Sequence, residues 1–361
     1  MKIGILTYHN TRNCGALLQA YALQQALFAL GIDNEIIDYR CDKIDEAYRV
    51  KHLRELKTVK MFIKWVLTIR NDKKTQEKFE LFRKNILKLS TVYTKNTIKN
   101  ANKEFDGFIT GSDQVWNFYL NGDDYTYMLD FAEKGRRKIS YAASMGSGAL
   151  TGSVRGAFKE ALPSFDLISV REKQLKDYIK ETVGIEPELV LDPTLLISKK
   201  KYVFSGNERA FDNKYIFVYT VAPAPNIEIK AKELSKKTGY PIIWGHMSYK
   251  KKRGVKNVTD LAPNELVNYI KNAEYVLTSS FHGMAFSIIM QKQFFYDLDN
   301  NVKNNNARLE TLSELLGLQD RELTGDDMDL CKSADIDYSA VNERLTHERE
   351  QSIDFLKKIC I

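Results

Sequence analysis

The feature of this sequence that most limits the folds open to it is a repeated unit, in which a short apolar run ends in a polar loop and a helical pattern follows. The first unit opens the chain, where "KIGILTY" leads into "HNTRNCGA" and apolar residues then recur at helical spacing (Ala16, Ala20, Leu23, Leu27). Gly31 stands where that helix would end. Units of this kind build a mainly parallel sheet that helices cover on both faces.

Such units form two successive series. The first continues through "NEIIDY", "FDGFIT", "RKISYAAS", "DLISVRE" and "PELVLDPT". The second starts near residue 214 and runs through "KYIFVYTV", "YPIIW", "EYVLTSS" and "QFFYDLD". The sequence therefore predicts an α/β fold of two Rossmann-like domains, over residues 1–197 and 198–338, with a long C-terminal helix over residues 339–361.

Size and composition narrow the class of protein further. At 361 residues and 43% hydrophobic, the chain suits two domains of about 150 residues each. We see no secretory signal and no run of about 20 apolar residues that would span a bilayer. The four cysteines are scattered without a metal-type pair (Cys14, Cys41, Cys331, Cys360), so neither a disulfide framework nor a metal site is predicted. We expect a soluble, cytoplasmic protein.

The basic residues are concentrated in one segment. The net charge of +7 permits anionic small molecules, nucleic acid or a membrane surface as partners. Between Lys51 and Lys103, however, Lys and Arg alternate with apolar residues (Met61, Phe62, Ile63, Trp65, Val66, Leu67, Ile69). We predict a basic helical excursion at about residues 43–104. It either packs one face on the core and leaves a solvated basic face, or rests on anionic lipid.

The loops that follow the predicted strands are expected to hold the functional site. Ligands of open parallel sheets bind beyond the carboxyl ends of the strands. Five loops there are rich in Ser, Asp, Asn, Arg and His: "HNTRNCGA", "TGSDQVWN", "SVREK", "LDPT" and "TSSFHGMA". Five polar loops at corresponding places predict a cleft.

The first loop offers a helix N-terminus rather than a nucleotide motif. It contains neither Gly-x-x-x-x-Gly-Lys nor G-x-G-x-x-G, which disfavours a nicotinamide cofactor. The free amides near Gly15 favour an anion, with Arg12 and Asn13 placed to assist. Alternatively, Asn13 caps the helix and Arg12 is solvated. Cys14 at this turn is a candidate for a lowered thiol pKa and a nucleophilic role.

His282 is the candidate acid or base. It lies at a strand-to-helix turn, beside Ser279, Ser280 and Gly283. An imidazole there can serve as general acid or base. The alternative is a structural histidine.

Other loops supply candidates for binding. Arg171 suits bidentate binding of a carboxylate or phosphate, or forms an ion pair with Glu172 at the start of a helix. Asp113 is a catalytic candidate or caps a turn. Trp116 and Phe118 either provide a stacking wall or belong to the core.

Together these stretches resemble the polysaccharide pyruvyl transferase family. The resemblance rests on the ordered set "GILTYHNTRNCGALLQAYALQ", "FDGFITGSDQVWN", "ISVREK", "VLDPTLL" and "TSSFHGMAFSI", and it runs from the first strand to about Leu316. It implies a fold like that of GT-B glycosyltransferases, with two Rossmann-like domains facing a central cleft and a C-terminal helix that crosses back to the first domain. The predicted partners do not include nucleic acid.

The resemblance implies transfer of pyruvate from phosphoenolpyruvate to sugar hydroxyls in polysaccharide biosynthesis, as for a capsule or an exopolysaccharide, without a cofactor. Members of the family carry a Ser-x-Arg-x-His stretch, and here Ser280 stands where the Arg would be. Arg308, Arg12 or Arg171 would substitute for it. We expect His282 to handle the proton and Asp113 to orient or deprotonate the acceptor hydroxyl.

The predicted site has two catalytic residues, His282 and Asp113, and no metal. The residues expected to bind substrate are Arg12, Asn13, Gly15, Ser112, Gln114, Trp116, Arg171, Ser279, Ser280, Gly283 and Arg308. If the acceptor is lipid-linked, the basic segment would contact anionic lipid at the inner membrane face. Two alternatives stay open: a GT-B glycosyltransferase that uses a nucleotide sugar, and a catalytically degenerate member of the family that binds a glycan.

Overall fold

The computed structural model describes residues 1–146, 152–204, 213–221, 224–246, 251–298, 306–324 and 328–360. Within these ranges the chain forms two parallel β-sheets with helices packed against them. We refer to the part that contains the first sheet as the N-terminal half, and to the part that contains the second sheet as the C-terminal half. The predicted α/β fold class, with two Rossmann-like halves, is confirmed.

The N-terminal half contains seven strands in the order β3-β2-β1-β4-β5-β6-β7. Its strands are β1 (Lys2–Leu6), β2 (Asp33–Arg40), β3 (Leu89–Thr94), β4 (Gly107–Gly111), β5 (Arg137–Ala143), β6 (Leu167–Val170) and β7 (Glu188–Leu189). Its helices are α1 (Cys14–Ala29), α2 (Asp42–Tyr48), α3 (Val59–Ile86), α4 (Phe118–Asn121), α5 (Gly152–Ala161) and α6 (Lys173–Val183). All neighbouring strands in this sheet are parallel.

The C-terminal half repeats the pattern with five parallel strands in the order β10-β9-β8-β11-β12. Its strands are β8 (Ile216–Thr220), β9 (Ile242–His246), β10 (Lys256–Val258), β11 (Tyr275–Thr278) and β12 (Gln293–Tyr296). Its helices are α7 (Pro225–Thr238), α8 (Pro263–Asn272), α9 (Phe281–Ile289), α10 (Ala307–Leu316) and the final α11 (Tyr338–Lys357). Each sheet reverses its strand order once, between β1 and β4 in the first and between β8 and β11 in the second.

Helix boundaries follow the local sequence. Asn13 caps α1 and Gly31 follows it with a φ of +75°, a conformation that glycine adopts without strain. Pro225 and Pro263 stand at the first positions of α7 and α8, where the missing N–H would have no partner in the helix. Gly239 ends α7 in the left-handed conformation.

The last helix, α11, packs on the N-terminal half although it follows the C-terminal half in sequence. The backbone amide of Leu191 donates to Ser352 Oγ at 2.9 Å. The Phe355 ring lies 6.0 Å from the Tyr141 ring. The buried side chains of α11 are Val341, Leu345, Ser352, Phe355 and Leu356. This stripe anchors the end of the chain on the first sheet.

The two halves also meet directly, beside the carboxyl ends of their strands. Cys14 Sγ, at the start of α1, donates to the Leu261 carbonyl at 3.3 Å. Lys78 Nζ of α3 lies 3.0 Å from Asp260 Oδ2 and 2.7 Å from Glu265 Oε1. The larger hydrophobic core includes side chains of both halves, so the halves share buried apolar surface.

The basic segment forms α3, and only its second half is buried. The buried residues of α3 are Thr75, Phe79 and Phe82. The first turns carry exposed apolar side chains, which the prediction of a solvated basic face does not describe. No helix among the described residues has the length and apolarity that crossing a membrane requires.

Candidate active site

The candidate site lies where both sheets reverse their strand order. Ser112 and Asp113 follow β4, and His282 follows β11 through a short turn. The crevice outside the carboxyl ends at such a reversal is the usual ligand site of open parallel sheets. The fold therefore brings catalytic candidates from the two halves to one place.

Asp192 is the centre of the hydrogen-bond network. Its Oδ2 accepts hydrogen bonds from Arg171 Nη1 at 2.5 Å and from Ser112 Oγ at 3.2 Å. Its Oδ1 accepts from the backbone amide and hydroxyl of Thr194 at 3.0 and 2.6 Å. Burial is the largest influence on Asp192 and would raise its pKa, but the charges of Arg171 and His282 together with the hydrogen bonds from Thr194 outweigh it, and the pKa is lowered. Asp192 is therefore a buried carboxylate that holds the guanidinium in place.

His282 approaches the same carboxylate from the C-terminal half. Its Nε2 lies 3.7 Å from Asp192 Oδ2 and has no hydrogen-bond partner among the described residues. Burial lowers the pKa of His282 to about 4, although the charge of Asp192 acts in the opposite direction. The imidazole is therefore neutral at pH 7 and can accept a proton.

Two glycines permit the close packing around His282. A Cβ on Gly15 would lie 2.0 Å from His282 Nδ1, so any larger residue would displace the ring. A Cβ on Gly283 would lie 2.1 Å from Thr278 Oγ1. The first turn of α1 thus packs on the first turn of α9, and His282 is held between the two halves.

Arg171 retains binding capacity beyond its bond to Asp192. Its side chain is buried, and its guanidinium lies 4.8 Å from the centre of the Phe281 ring. Its Nε and Nη2 have no hydrogen-bond partner in the described part of the chain. They are 4.0 Å from carboxylate oxygens of Glu172 and Asp113, beyond hydrogen-bond distance. Two such N–H groups match the geometry of a carboxylate or a phosphate.

Arg308, at the second position of α10, belongs to the same cluster of charges. Burial and then the like charge of Arg171 lower its pKa to about 10. The charge of Arg308 in turn contributes to lowering the pKa of His282. The two arginines therefore repel each other, and a bound anion would relieve that repulsion.

Carboxylates complete the site on the side of the first sheet. Glu172 Oε1 accepts from Ser144 Oγ at 2.6 Å and from the Met145 amide at 3.1 Å, which orders the loop after β5. Asp113 has a φ of +74°, a strained conformation for a residue other than glycine. Its Oδ1 accepts from the Gln114 amide at 2.8 Å.

The start of α1 differs from the prediction of an anion site. Asn13 Oδ1 accepts from the amides of Gly15 and Ala16 at 2.9 and 3.4 Å, so Asn13 itself satisfies the amides that were expected to bind an anion. The prediction that Cys14 has a lowered thiol pKa is wrong, because burial raises that pKa. Arg12 Nη1 lies 3.3 Å from Asp72 Oδ1 of α3.

Two other predicted binding residues have structural roles. Trp116 is fully buried and packs edge-on against Phe158, with ring centres 5.3 Å apart, so it has no surface on which a substrate could stack. The prediction that Trp116 binds substrate is therefore corrected: Trp116 belongs to the hydrophobic core. Gln114 Oε1 accepts from Asn117 Nδ2 at 3.0 Å.

The two serines before His282 lie at the N-terminus of α9. Ser280 Oγ caps the helix by accepting from the Gly283 amide at 3.4 Å. Ser279 Oγ is buried without a hydrogen-bond partner among the described residues. The position that carries Arg in the resembling family is thus a helix cap in this chain.

Sequence reasoning missed the residue that organises the site. Asp192 lies in the loop "LDPT", directly after a predicted strand, but it is not among the predicted site residues. Its position after a strand was the available signal. Phe281, which packs on Arg171, carried none. Among the described residues, no three His, Cys, Asp or Glu side chains are grouped so that they would hold a metal ion.

This chain matches one protein-family model. The family model described as polysaccharide pyruvyl transferase matches residues 13–296, which is more than half of the chain. No curated protein sequence is significantly similar to it.

Similar solved structures include nucleotide-sugar epimerases and a glycosyltransferase. UDP-GlcNAc 2-epimerase of Methanocaldococcus jannaschii is 15% identical with a TM-score of 0.46, over 100% of this chain and 99% of the other. The enzyme from Neisseria meningitidis is 10% identical with a TM-score of 0.48, over 98% and 94%. The glycosyltransferase SnogD from Streptomyces nogalater is 11% identical with a TM-score of 0.38, over 98% and 95%. At these values the likeness says nothing about what this chain binds.

Proposed function

This chain belongs to the polysaccharide pyruvyl transferase family, and on that premise we propose that it transfers pyruvate from phosphoenolpyruvate to hydroxyls of a sugar. Membership makes the chain a transferase enzyme of polysaccharide pyruvylation. The donor, the ketal product and the released phosphate are the proposal.

The observation that carries the proposal is the pairing of Arg171 with a neutral His282 across the interface of the two halves. Phosphoenolpyruvate bears a carboxylate and a phosphate, and its reaction begins with protonation of a carbon atom. Arg171 has two buried N–H groups without a hydrogen-bond partner among the described residues, and Arg308 is electrostatically coupled to it. These features support a site for a small anion with two negative groups.

The chemistry assigns a step to each residue. His282 takes up a proton as the donor binds, because the negative charge of the donor raises the pKa of the imidazole. It then protonates the methylene carbon of phosphoenolpyruvate, which creates an oxocarbenium-like centre at the neighbouring carbon. Asp192, 3.7 Å from His282 Nε2, stabilises the protonated imidazole.

The acceptor closes the reaction. A sugar hydroxyl forms a bond to the cationic carbon and gives up its proton to Asp113. The bond between that carbon and the phosphate oxygen breaks, and Arg171 and Arg308 bind the phosphate as it leaves. A second hydroxyl of the same sugar then adds to the same carbon, gives up its proton to the departing phosphate and completes the cyclic ketal. The route uses acid, base and cationic groups of the chain, and we propose no cofactor.

The proposed acceptor is a sugar in a lipid-linked precursor of a capsule or exopolysaccharide. The basic segment around α3 supports this choice, since six of the seven excess positive charges lie in residues 51–74. The proposal locates the enzyme in the cytoplasm, in peripheral contact with the inner membrane face.

The proposal is tested by phosphate release. Purified enzyme is incubated with phosphoenolpyruvate and a panel of acceptors, both free oligosaccharides and lipid diphosphate-linked saccharides. We expect phosphate release that depends on an acceptor, and an acid-labile pyruvate on the product. His282→Ala and Arg171→Ala should abolish it. Sugar transfer from a nucleotide sugar, without release from phosphoenolpyruvate, would instead identify a glycosyltransferase.

A further inference from the structure

The first half of α3 displays an apolar stripe to solvent. Val59, Phe62, Ile63, Val66 and Leu67 recur at intervals of three and four residues, which places them on one face of the helix. Their exposed fractions range from 46% to 75%. A helix that packs on its own protein normally hides such a stripe, and contiguous exposed apolar surface indicates an interaction site.

The charges around the stripe are strongly one-sided. Residues 51–74 hold eight Lys and Arg but only two acidic residues. The rest of the chain is nearly balanced, with 46 Lys and Arg against 45 Asp and Glu, from totals of 54 and 47. Lys60 flanks the apolar stripe, and Arg70 and Lys73 continue its face towards the body of the protein. We call Lys60, Arg70 and Lys73 the basic collar. The surface therefore combines the apolar stripe with this basic collar.

The position of α3 directs this surface away from the core. An α-helix of 28 residues is about 42 Å long. From Asn71, whose Nδ2 donates to the Thr259 carbonyl at 3.2 Å, the helix packs on the two halves. The turns before Asn71 contribute no buried residue. Because α3 ends before β3 begins, its start lies on the side of the carboxyl ends, where the candidate site is.

A basic groove lies behind the stripe. It has a volume of about 510 Å³, and its lining includes Arg12, Arg49, Lys51, Trp65 and Asp72. Trp65 Nε1 donates to the Lys51 carbonyl at 2.8 Å, and the Trp65 ring stacks on Phe62 at 6.5 Å. Aromatic side chains with one polar end are enriched where membranes meet water.

We propose that Val59–Arg70 of α3 is a membrane-docking helix, which inserts its apolar stripe into a bilayer of anionic lipid while the basic collar binds the headgroups. A second copy of this chain fits less well. A symmetric pairing of the stripe would bring like charges of the two collars together, and no acidic surface on the stripe would offset them.

Docking places the membrane beside the candidate site. Arg12 lines the groove, and three residues later Gly15 packs on His282. A sugar that hangs from an anchored lipid would approach the site from this side. That consequence rests on the proposed function, whereas the docking itself does not.

The test is sedimentation of the full chain with vesicles. Wild type should bind vesicles of phosphatidylglycerol and phosphatidylcholine, bind less as salt is added, and not bind pure phosphatidylcholine. The triple variant Lys57→Glu, Lys60→Glu and Lys73→Glu should bind on the order of 100-fold more weakly. The double variant Phe62→Ser and Leu67→Ser should lose at least about tenfold.

Matched controls separate docking from general effects of charge and hydrophobicity. Lys99→Glu with Lys103→Glu reverses two exposed lysines outside α3, and Leu81→Ser removes an exposed leucine farther along α3. Both controls should bind vesicles like wild type. Circular dichroism should show the helix content of wild type in every variant.

Several results would overturn the proposal. The first is that wild type does not bind anionic vesicles, and the second is that the double apolar variant binds them like wild type. The third is that wild type is a dimer and the apolar variant is a monomer. Phosphoenolpyruvate binding by the docking variants should equal that of wild type, because none of these side chains lines the candidate site. A failure of docking and a failure of the proposed chemistry are therefore distinguishable.

Discussion

Gly15 and His282 pack against each other across the interface of the two halves, so closely that a Cβ on Gly15 would lie 2.0 Å from the imidazole Nδ1. The contact joins the first turn of α1 to the first turn of α9. It fixes the ring from one side, while Asp192 lies 3.7 Å from its other nitrogen. The position of the imidazole is thus set by Gly15 in the first turn of α1 and by Asp192 in the loop after β7.

The first prediction concerns this contact. Gly15→Ala should displace His282, because the added carbon overlaps the ring, and should destabilise the protein by about 1–3 kcal/mol. Pyruvyl transfer should fall by at least about tenfold, since a misplaced acid group transfers its proton poorly. Denaturant unfolding and initial rates measure the two effects.

The control for Gly15 is Gly156 of α5, where an added Cβ would meet no atom within 4 Å. Gly156→Ala should leave the rate unchanged and should not destabilise the helix. Equal behaviour of the two variants would show that the contact with His282 is irrelevant.

A second prediction concerns the buried ion pair of Arg171 and Asp192. Arg171→Met should destabilise the protein by about 3–5 kcal/mol, because it leaves the buried carboxylate of Asp192 without its cation. Lys173→Ala, two residues farther along the chain, removes an exposed pair with Glu314 and should cost less than about 1 kcal/mol. Thermal unfolding compares the two. Similar losses would mean that the buried pair has no special role.

The third prediction follows from the lowered pKa of His282. The pKa is about 4 in the folded protein against 6.5 in a model peptide, so the unfolded chain binds more protons between these values. The contribution of His282 is therefore complete above pH 6.5 and is lost as the pH falls towards 4. Wild type should lose about 3 kcal/mol more than His282→Gln over this range. Parallel stability curves for the two proteins would refute the shift.

Ligand binding should reverse this shift, which is the fourth prediction. The negative charges of phosphoenolpyruvate raise the pKa of His282, so binding near pH 6 should take up a proton. Calorimetry in buffers of different ionisation enthalpy measures that uptake. His282→Gln should bind without it. Equal proton uptake by the two proteins would exclude His282 as the group that is protonated.

Most strands were predictable from the sequence because buried strands consist of continuous apolar runs. Runs such as that of β4 are buried along their whole length and are correspondingly apolar. Two edge strands, β3 and β10, escaped prediction. β3 is largely exposed and β10 has only three residues, so neither carries a continuous apolar run.

The sequence predicts the location of the candidate site but not the role of each residue in it. The polar loops after the strands marked the right edge of each sheet, and they hold Arg171 and His282. What the sequence does not encode locally is burial. A helix start would by itself lower the thiol pKa of Cys14. The thiol is deeply buried, however, and burial raises its pKa. The sequence around Trp116 likewise permits a stacking surface, whereas the structure shows that its ring is buried in the core.

The measurement that tests the central claim most directly is a calorimetric titration of the wild-type protein with phosphoenolpyruvate, with UDP-sugars titrated in parallel. We predict saturable binding of phosphoenolpyruvate at one site per chain, weakened by at least about tenfold in Arg171→Lys because an ammonium cannot replace the fork of the guanidinium. UDP-sugars should neither bind nor compete. Saturable binding of a UDP-sugar with no heat from phosphoenolpyruvate would contradict the account.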